Sequence, residues 1–468
     1  MASRDKMDLL RSFLGSLPRG AAGKVVRAVE IDRLNDGNVL PHELILESLR
    51  PSLRGDETAE RAPTPVRLFC RPFEDLLVSD GSPQKRKGHI ARGSIAPVWN
   101  WLSQTLIPAS ATTYSLAVKT AAMGHEPEQL AQKAAEFWKT ASDTLRNRLA
   151  AESGRRAARE ALGNDMVVED AREMALLLAA APEISELQDA LPRTMPSLTE
   201  EAVQVFHAVH EKLAARMPDA APYLAVVLMK RLERPWEVLR LPSAGAQAMA
   251  VEAGESRETP VDLGFAGELL LGAIDAHRTA ILSADPERFS ADALLKHLEG
   301  HATISNGVVK ELELRHDGAR VQQLMNDRKL VSDAMENLIT RAPAEIFGAL
   351  SLHVLENDAL ALDFSQPTDP GKCARASSYA RLIAGGRPLA GAASFDASLK
   401  QADSQICAML KRYNEAIMRE LSDADDQKRL NAEQYADLAT ELSVVLLTPD
   451  RSAPACQQSQ AAGTSIAA

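Results

Sequence analysis

The sequence predicts an all-α, multi-helical protein with little or no β-structure, and three observations lead to this prediction. Aromatic residues make up only 4% of the chain while Ala, Leu, Glu and Arg recur, and the aliphatic and long polar residues lose little conformational freedom in a helix. Apolar residues recur at positions i, i+3 and i+4 over much of the length. No stretch shows sustained alternation of apolar and polar residues, so we expect little β-structure beyond a segment at Val66–Cys70.

Helical periodicity extends over most of the chain in separate segments. The segments before the C-terminal region are Ala21–Leu34, His42–Leu49, Glu126–Leu162, Asp165–Ala180, Leu198–Met217, Tyr223–Leu232, Val261–Leu282 and Ser290–Leu355. Gly154 is expected to interrupt the third of these, because glycine weakens a helix interior. Two further segments, Asp396–Leu421 and Asp425–Leu447, predict a C-terminal helical hairpin.

A chain of 468 residues is long enough for two or three hydrophobic cores. The predicted parts are an N-terminal helical segment (1–65), a first helical domain (66–241), a second helical domain (259–365), the C-terminal hairpin (394–447) and a disordered tail (448–468). Residues 242–258 are typical of a linker, and the Gly-, Pro- and Ser-rich stretch Gln366–Ala393 is expected to be irregular.

A faint internal similarity suggests that residues of about 66–232 and 233–355 hold two related helical units. The motif RPFEDL at Arg71–Leu76 resembles RPWEVL at Arg234–Leu239, and Pro97-Val98 matches Pro260-Val261 at the same offset. An old tandem duplication would leave matches in this order. Chance similarity within Ala- and Arg-rich helical sequence is the alternative.

Charge and cysteine content limit the class of protein. The net charge of −11 argues against general affinity for nucleic acid or anionic membrane surfaces. The four cysteines lie far apart without a CxxC pair, so we expect reduced thiols. The longest apolar runs fall short of the ~20 residues that span a bilayer. We therefore expect a cytoplasmic protein without membrane insertion, and no motif indicates a cofactor.

Two histidines form the candidate metal site. His297 and His301 are four residues apart, which places both imidazoles on one face of a helix, as in many zinc sites. Asp275 or His277 on the preceding helix would have to supply a further ligand. The chain lacks the HExxH arrangement of metalloproteases, and the alternative interpretation is a solvated or hydrogen-bonded pair.

A basic run provides the candidate nucleic-acid site. Its basic residues are Lys85, Arg86, Lys87 and Arg92. Such side chains could neutralise phosphates, and the nearby Trp99 and Trp101 could stack on bases. Both tryptophans lie in an apolar, helical-looking segment, however, which favours a place in the core.

The leading hypothesis is a non-catalytic interaction, scaffold or regulatory protein that binds another protein. It would use a helical groove or the segments Ser79–Gly93 and Gln366–Ala393, since no GxSxG, P-loop or CxxC motif indicates catalysis. The first alternative is a helical enzyme that depends on a metal at His297 and His301. The second is a nucleic-acid-binding protein that uses residues 85–92. The sequence leaves the oligomeric state open.

Overall fold

The computed structural model describes residues 10–34, 40–49, 63–79, 85–122, 127–241, 263–314, 317–354, 360–423 and 426–447. Its architecture is all-α, which confirms the predicted fold class. Strands within the described residues form only two short pairs. None of the helices in these ranges has an apolar stretch long enough to cross a bilayer. The predicted linker (242–258) and tail (448–468) lie outside the described residues.

The helices before residue 242 are numbered in chain order. They are α1 (Arg19–Leu34), α2 (His42–Leu49), α3 (Pro65–Cys70), α4 (Ile95–Asn100), α5 (Pro108–Ala122), α6 (Pro127–Ala150), α7 (Glu152–Leu162), α8 (Asp165–Ala179), α9 (Ala181–Ala190), α10 (Glu200–Arg216) and α11 (Pro222–Arg231). Short 3₁₀ helices lie at Arg71–Leu76, Arg92–Ser94 and Pro235–Arg240, and a π-helix lies at Trp101–Leu106. Strands β1 (Leu77–Val78) and β2 (Ile90–Ala91) pair in parallel.

The helices after residue 262 are on average longer. They are α12 (Gly264–Leu282), α13 (Ala291–Leu314), α14 (Gly318–Ala349), α15 (Pro370–Gly386), α16 (Asp396–Asp423) and α17 (Asp426–Leu447). The last two form the predicted C-terminal hairpin. Strands β3 (Leu352–Val354) and β4 (Leu360–Leu362) pair antiparallel, with Leu352 opposite Leu362.

The chain divides into two compact units. Unit 1 contains the described residues of Met1–Ser243 and of Leu263–Gly267, and unit 2 contains those of Ala244–Asp262 and Glu268–Ala468. The first turn of α12 therefore belongs to unit 1 and the rest of that helix to unit 2.

The core of unit 1 contains an aromatic cluster. Tyr114 of α5 stacks on Phe137 of α6 with ring centroids 4.4 Å apart, and Phe69 lies edge-on to Phe137 at 6.3 Å. Trp99 contacts the same rings, and Trp101 is 8% exposed. Both tryptophans therefore lie in or against the core, and the apolar character of their segment indicated this position. Helices α6 and α8 pack against each other next to this cluster.

Unit 2 is organised around four long helices. Helix α14 packs against α15 and α16, and α17 packs against the same two helices. Helix α13 packs against α14 and α15. Tyr379, Ile406 and Tyr413 are fully buried in the shared core. The C-terminal hairpin thus shares one core with the helices that precede it.

The expected strand at Val66–Cys70 is wrong, because this segment is helical. Thr64 caps the helix α3 by accepting a hydrogen bond from the Arg67 N–H at 3.2 Å, and Pro65 follows at the first helical position. Both features favour helix initiation, and the burial of Phe69 and Cys70 stabilises the result.

The expected irregular stretch Gln366–Ala393 is also wrong over most of its length, because it contains α15. Asp369 caps this helix by accepting from the Gly371 N–H at 2.8 Å, and Pro370 begins it. Tyr379 and Ile383 are fully buried. Tertiary burial thus overrides the low helix propensity of Gly and Ser.

The interruption expected at Gly154 lies a few residues earlier. Helix α6 ends at Ala150, and Gly154 lies inside α7. A Cβ atom at position 154 would be 1.8 Å from the carbonyl oxygen of Arg148. Glycine is required here because the chain turns back closely on the end of α6.

The two similar motifs share a local conformation. Arg71–Leu76 and Pro235–Arg240 are both 3₁₀ helices, and both pack against α11. Both lie in unit 1, so the two motifs do not fall into different compact units. The tandem duplication remains a prediction.

Candidate functional site

Two buried carboxylates on α8 form the base of the candidate site. Asn164 begins this helix by accepting a hydrogen bond from the Val167 N–H at 2.9 Å. Asp170 and Glu173 are three residues apart, so they lie on one side of the helix. They are only 1% and 7% exposed. Carboxylates this deeply buried require hydrogen bonds and a cation.

Lys85 supplies that cation from the loop that precedes β2. Its Nζ atom lies 2.5 Å from Asp170 Oδ1 and 2.5 Å from Glu173 Oε2. The same ammonium group donates to the carbonyl oxygen of His89 at 2.5 Å. Its three donors are therefore all bonded, and they hold the loop of residues 85–94 against α8.

Backbone and hydroxyl donors fill the remaining carboxylate positions. Asp170 Oδ2 accepts from the Ala91 N–H at 3.1 Å and from Ser94 Oγ at 2.6 Å. Glu173 Oε1 accepts from the Gly88 N–H at 2.6 Å. Gly88 has a φ of 80°, a conformation that glycine adopts without strain. The turn can thus present its N–H to the carboxylate.

Tyr223 at the start of α11 completes the network. Its hydroxyl donates to Glu173 Oε1 at 2.6 Å. Burial, followed by the negative charge of Glu173 and this hydrogen bond, raises the pKa of Tyr223. The phenol therefore remains protonated at neutral pH and remains a donor to the carboxylate.

An open cleft of about 390 Å³ lies beside this network in unit 1. The buried Glu173 and Tyr223 and the half-buried Leu176 line its inner part. The other charged residues that line it are Lys87, Arg146, Glu169, Arg172 and Asp219. The volume lies toward the lower end of the ~300–1,000 Å³ typical of ligand pockets.

The charged residues of the cleft differ in their partners. Arg172 pairs with Glu169 on the same helix at 3.0 Å. The ammonium group of Lys87 lies 4.9 Å from the ring centre of Phe265, which is a cation–π distance. In the part of the chain that the structure describes, Lys87, Arg146 and Asp219 form no ion pair.

This arrangement favours binding over acid–base chemistry. All four oxygens of the Asp170 and Glu173 carboxylates accept hydrogen bonds. Neither carboxylate is left free to take a proton from a substrate. The network instead fixes the loop that carries Lys87 beside the cleft, so this wall of the cleft is rigid before any partner arrives.

The predicted basic run does not act as one cationic surface. Lys85 is neutralised by the two buried carboxylates. Lys87 lies over Tyr223 at 5.7 Å as well as over Phe265. Of the four basic residues of the run, only Arg86 and Arg92 are exposed and neither bind the buried carboxylates nor lie over an aromatic ring.

The predicted histidine pair lies in unit 2. His297 Nδ1 is 3.0 Å from His277 Nδ1 on α12, a hydrogen bond in which one ring donates and the other accepts. The His277 ring also lies against Gly300, where a Cβ atom would be 2.6 Å from its Nε2. Across the described ranges, no group of three or more His, Cys, Asp or Glu side chains could hold a metal ion.

His301 is buried rather than open to a ligand. It is 2% exposed, and its Nε2 atom has no hydrogen-bond partner. Burial, together with the charges of His277, Arg328 and Arg278, lowers the pKa of His301 to about 4. The imidazole is therefore neutral at physiological pH.

Sequence reasoning missed Arg146, Asp170, Glu173 and Tyr223. A signal for the two carboxylates is present, because they interrupt the apolar face of α8 at positions three apart. Carboxylates on a buried helix face imply a buried cation. Nothing in the sequence identifies Lys85 as that cation, since it lies 85 residues before Asp170.

Comparison with protein-family models, curated proteins and solved structures finds no match for this chain.

Proposed function

We propose that this protein is a non-catalytic helical interaction protein, and that the cleft of unit 1 binds a segment of a partner protein. The observation that carries the proposal is the bonding of the buried carboxylates. Asp170 and Glu173 are fully occupied in anchoring one wall of an open cleft. A rigid concave surface whose two buried carboxylates are already bonded is suited to recognition.

The dimensions of the cleft support a segment as the bound element. About 390 Å³ holds a few side chains rather than the face of a folded domain. The large exposed apolar residues of the described chain are distributed over several helices, among them Leu116 on α5, Leu282 on α12 and Met418 on α16. A concave site is therefore better supported than a broad apolar docking face.

The two alternative functions have less support. A metalloenzyme would need ligands beyond His297 and His301. His277 lies beside His297, but no group of three His, Cys, Asp or Glu side chains among the described residues could hold a metal ion. Binding of nucleic acid through residues 85–92 would have to proceed without the charge of Lys85. A cytoplasmic location belongs to the same proposal, supported by the free Cys70, Cys373 and Cys407.

The test is a capture experiment with the tagged full-length chain in native lysate of the source organism. Nuclease treatment removes partners that are held through nucleic acid, and mass spectrometry identifies the captured proteins. The comparison variant is Leu176→Arg, which fills and charges the half-buried part of the cleft. The control is Leu116→Arg, at a leucine on α5 that is 65% exposed.

A stoichiometric protein that is captured by the wild type and the control, but not by Leu176→Arg, supports the proposal. Circular dichroism must show that all three proteins have the same helix content. Equal capture by both variants, or no captured protein, would overturn the proposal. Replacing Leu116 adds the same charge without touching the cleft.

A further inference from the structure

We infer that the segment bound in the cleft is acidic, with a carboxylate side chain next to an apolar one. This inference rests on the proposed function and adds the chemistry of the partner. The charges that line the cleft, together with Leu176 and the Tyr223 ring, carry the argument.

The balance of charges without an ion-pair partner is positive. Glu173 is bonded to Lys85, and Glu169 is bonded to Arg172. Among the described residues that line the cleft, Lys87 and Arg146 then remain as cations, against a single anion, Asp219. A bound carboxylate would complete this set, whereas a bound cation would face two like charges.

The two cations remain able to donate hydrogen bonds. The contacts of Lys87 with Phe265 and Tyr223 use the ring faces and leave its N–H groups available. Arg146 presents a planar guanidinium, which binds a carboxylate through two parallel hydrogen bonds. A Glu or Asp side chain fits this pair of donors.

The inner end of the cleft favours an apolar neighbour. Leu176 is half-buried there, and the Tyr223 hydroxyl is already bonded to Glu173. A polar side chain at this position would lose hydration without gaining a new donor from the phenol. An apolar side chain would instead gain from burial against Leu176 and the tyrosine ring.

The experiment is selection of random dodecapeptides displayed on phage, with the full-length chain immobilised. We expect the selected peptides to be enriched in Asp or Glu next to Leu, Ile, Met or Phe. Binding of the selected peptides is then measured with two variants of equal charge. Lys87→Gln with Arg146→Gln changes the cleft, and Arg86→Gln with Arg148→Gln changes the neighbouring basic residues.

The control is matched to the cleft variant residue by residue. Arg86 is the exposed neighbour of Lys87 in the loop, and Arg148 is exposed two residues after Arg146 on α6. Two helical positions correspond to about 200°, so Arg148 points away from the side of α6 that carries Arg146. We expect binding at least about tenfold weaker with the cleft variant and unchanged with the control.

Each outcome separates this inference from the proposed function. Acidic peptides that bind both variants equally would overturn the inference, because Lys87 and Arg146 would then not bind the carboxylate. Selected peptides that are basic or uncharged, and that bind the wild type but not the variant Leu176→Arg, would overturn the inference alone. The cleft would then still be a binding site. Loss of binding in the cleft variant counts only if its thermal unfolding matches that of the control.

Discussion

Acidification is expected to destabilise unit 2 through His301. This residue is 2% exposed, and its Nε2 atom has no hydrogen-bond partner. Protonation would place a positive charge in an apolar site near His277, Arg278 and Arg328, none of which can compensate it. The folded chain therefore resists protonation at a pH at which the unfolded chain accepts it.

The size of the effect follows from the two pKa values. The pKa of His301 is about 4 in the folded chain against an ordinary value of 6.5. Each unit of difference corresponds to about 1.4 kcal/mol, so the total effect is about 3 kcal/mol. Between pH 6.5 and 4 the unfolded state binds more protons than the folded state. The free energy of unfolding therefore keeps the full contribution of the neutral His301 above pH 6.5 and loses it as the pH falls toward 4.

The assay is urea unfolding at a series of pH values, with the wild type compared with His301→Gln. All four tryptophans lie in unit 1, namely Trp99, Trp101, Trp138 and Trp236. Tryptophan fluorescence therefore reports on unit 1, and hydrogen exchange of α13 peptides reports on unit 2. The variant lacks the titrating group, so its unfolding free energy should change less with pH.

The comparison concerns the pH dependence, not the absolute stability. A buried glutamine at position 301 has its own unsatisfied groups and lowers stability at every pH. Identical pH dependence of α13 exchange in the two proteins between pH 6.5 and 4 would refute the assignment to His301.

Three further substitutions test other parts of the structure. Asp170→Asn leaves Lys85 with one carboxylate fewer and should lower the unfolding free energy of unit 1 by about 2 kcal/mol, followed by tryptophan fluorescence in urea; a loss below about 0.5 kcal/mol would contradict the structural role of the network. Gly300→Ala should destabilise unit 2 by about 1 kcal/mol or more, because a Cβ atom there would be 2.6 Å from His277 Nε2. Gly272→Ala on α12 is the control, because a Cβ atom there meets no atom within 4 Å; it should stabilise unit 2 by about 0.5–1 kcal/mol. Thermal unfolding followed by circular dichroism compares the two alanine variants. Equal changes in stability would argue against the close contact at Gly300.

Local signals predicted the helices well where caps and periodicity agreed. The helix at His42–Leu49 has the predicted bounds, and the hairpin helices begin at Asp396 and Asp426. The prediction was wrong where it followed the Gly and Ser content of a segment and not the capping residues at its start. The Gly- and Ser-rich stretch around α15 was expected to be irregular, although Asp369 and Pro370 are ordinary start signals for a helix.

The candidate site was predicted only in part. The basic run was noticed because four cations lie close together in the sequence, and Lys87 does line the cleft. The other charges of the cleft without an ion pair could not be located, because Arg146 and Asp219 come from distant parts of the chain. The function assigned to Lys85 also changed, since this cation is bonded inside unit 1 and is not available to phosphates.

The sequence by itself determined the all-α architecture, because helix formation depends on propensity, capping and periodicity within a few residues. It also contained a signal that the sequence-based prediction missed: Asp170 and Glu173 interrupt an apolar helix face, and buried carboxylates need a cation. Only the tertiary structure decided which cation this is and where the cleft lies. The physical reason is distance along the chain: Lys85 and Tyr223 approach α8 from 88 residues before Glu173 and 50 residues after it, and no local pattern encodes such contacts.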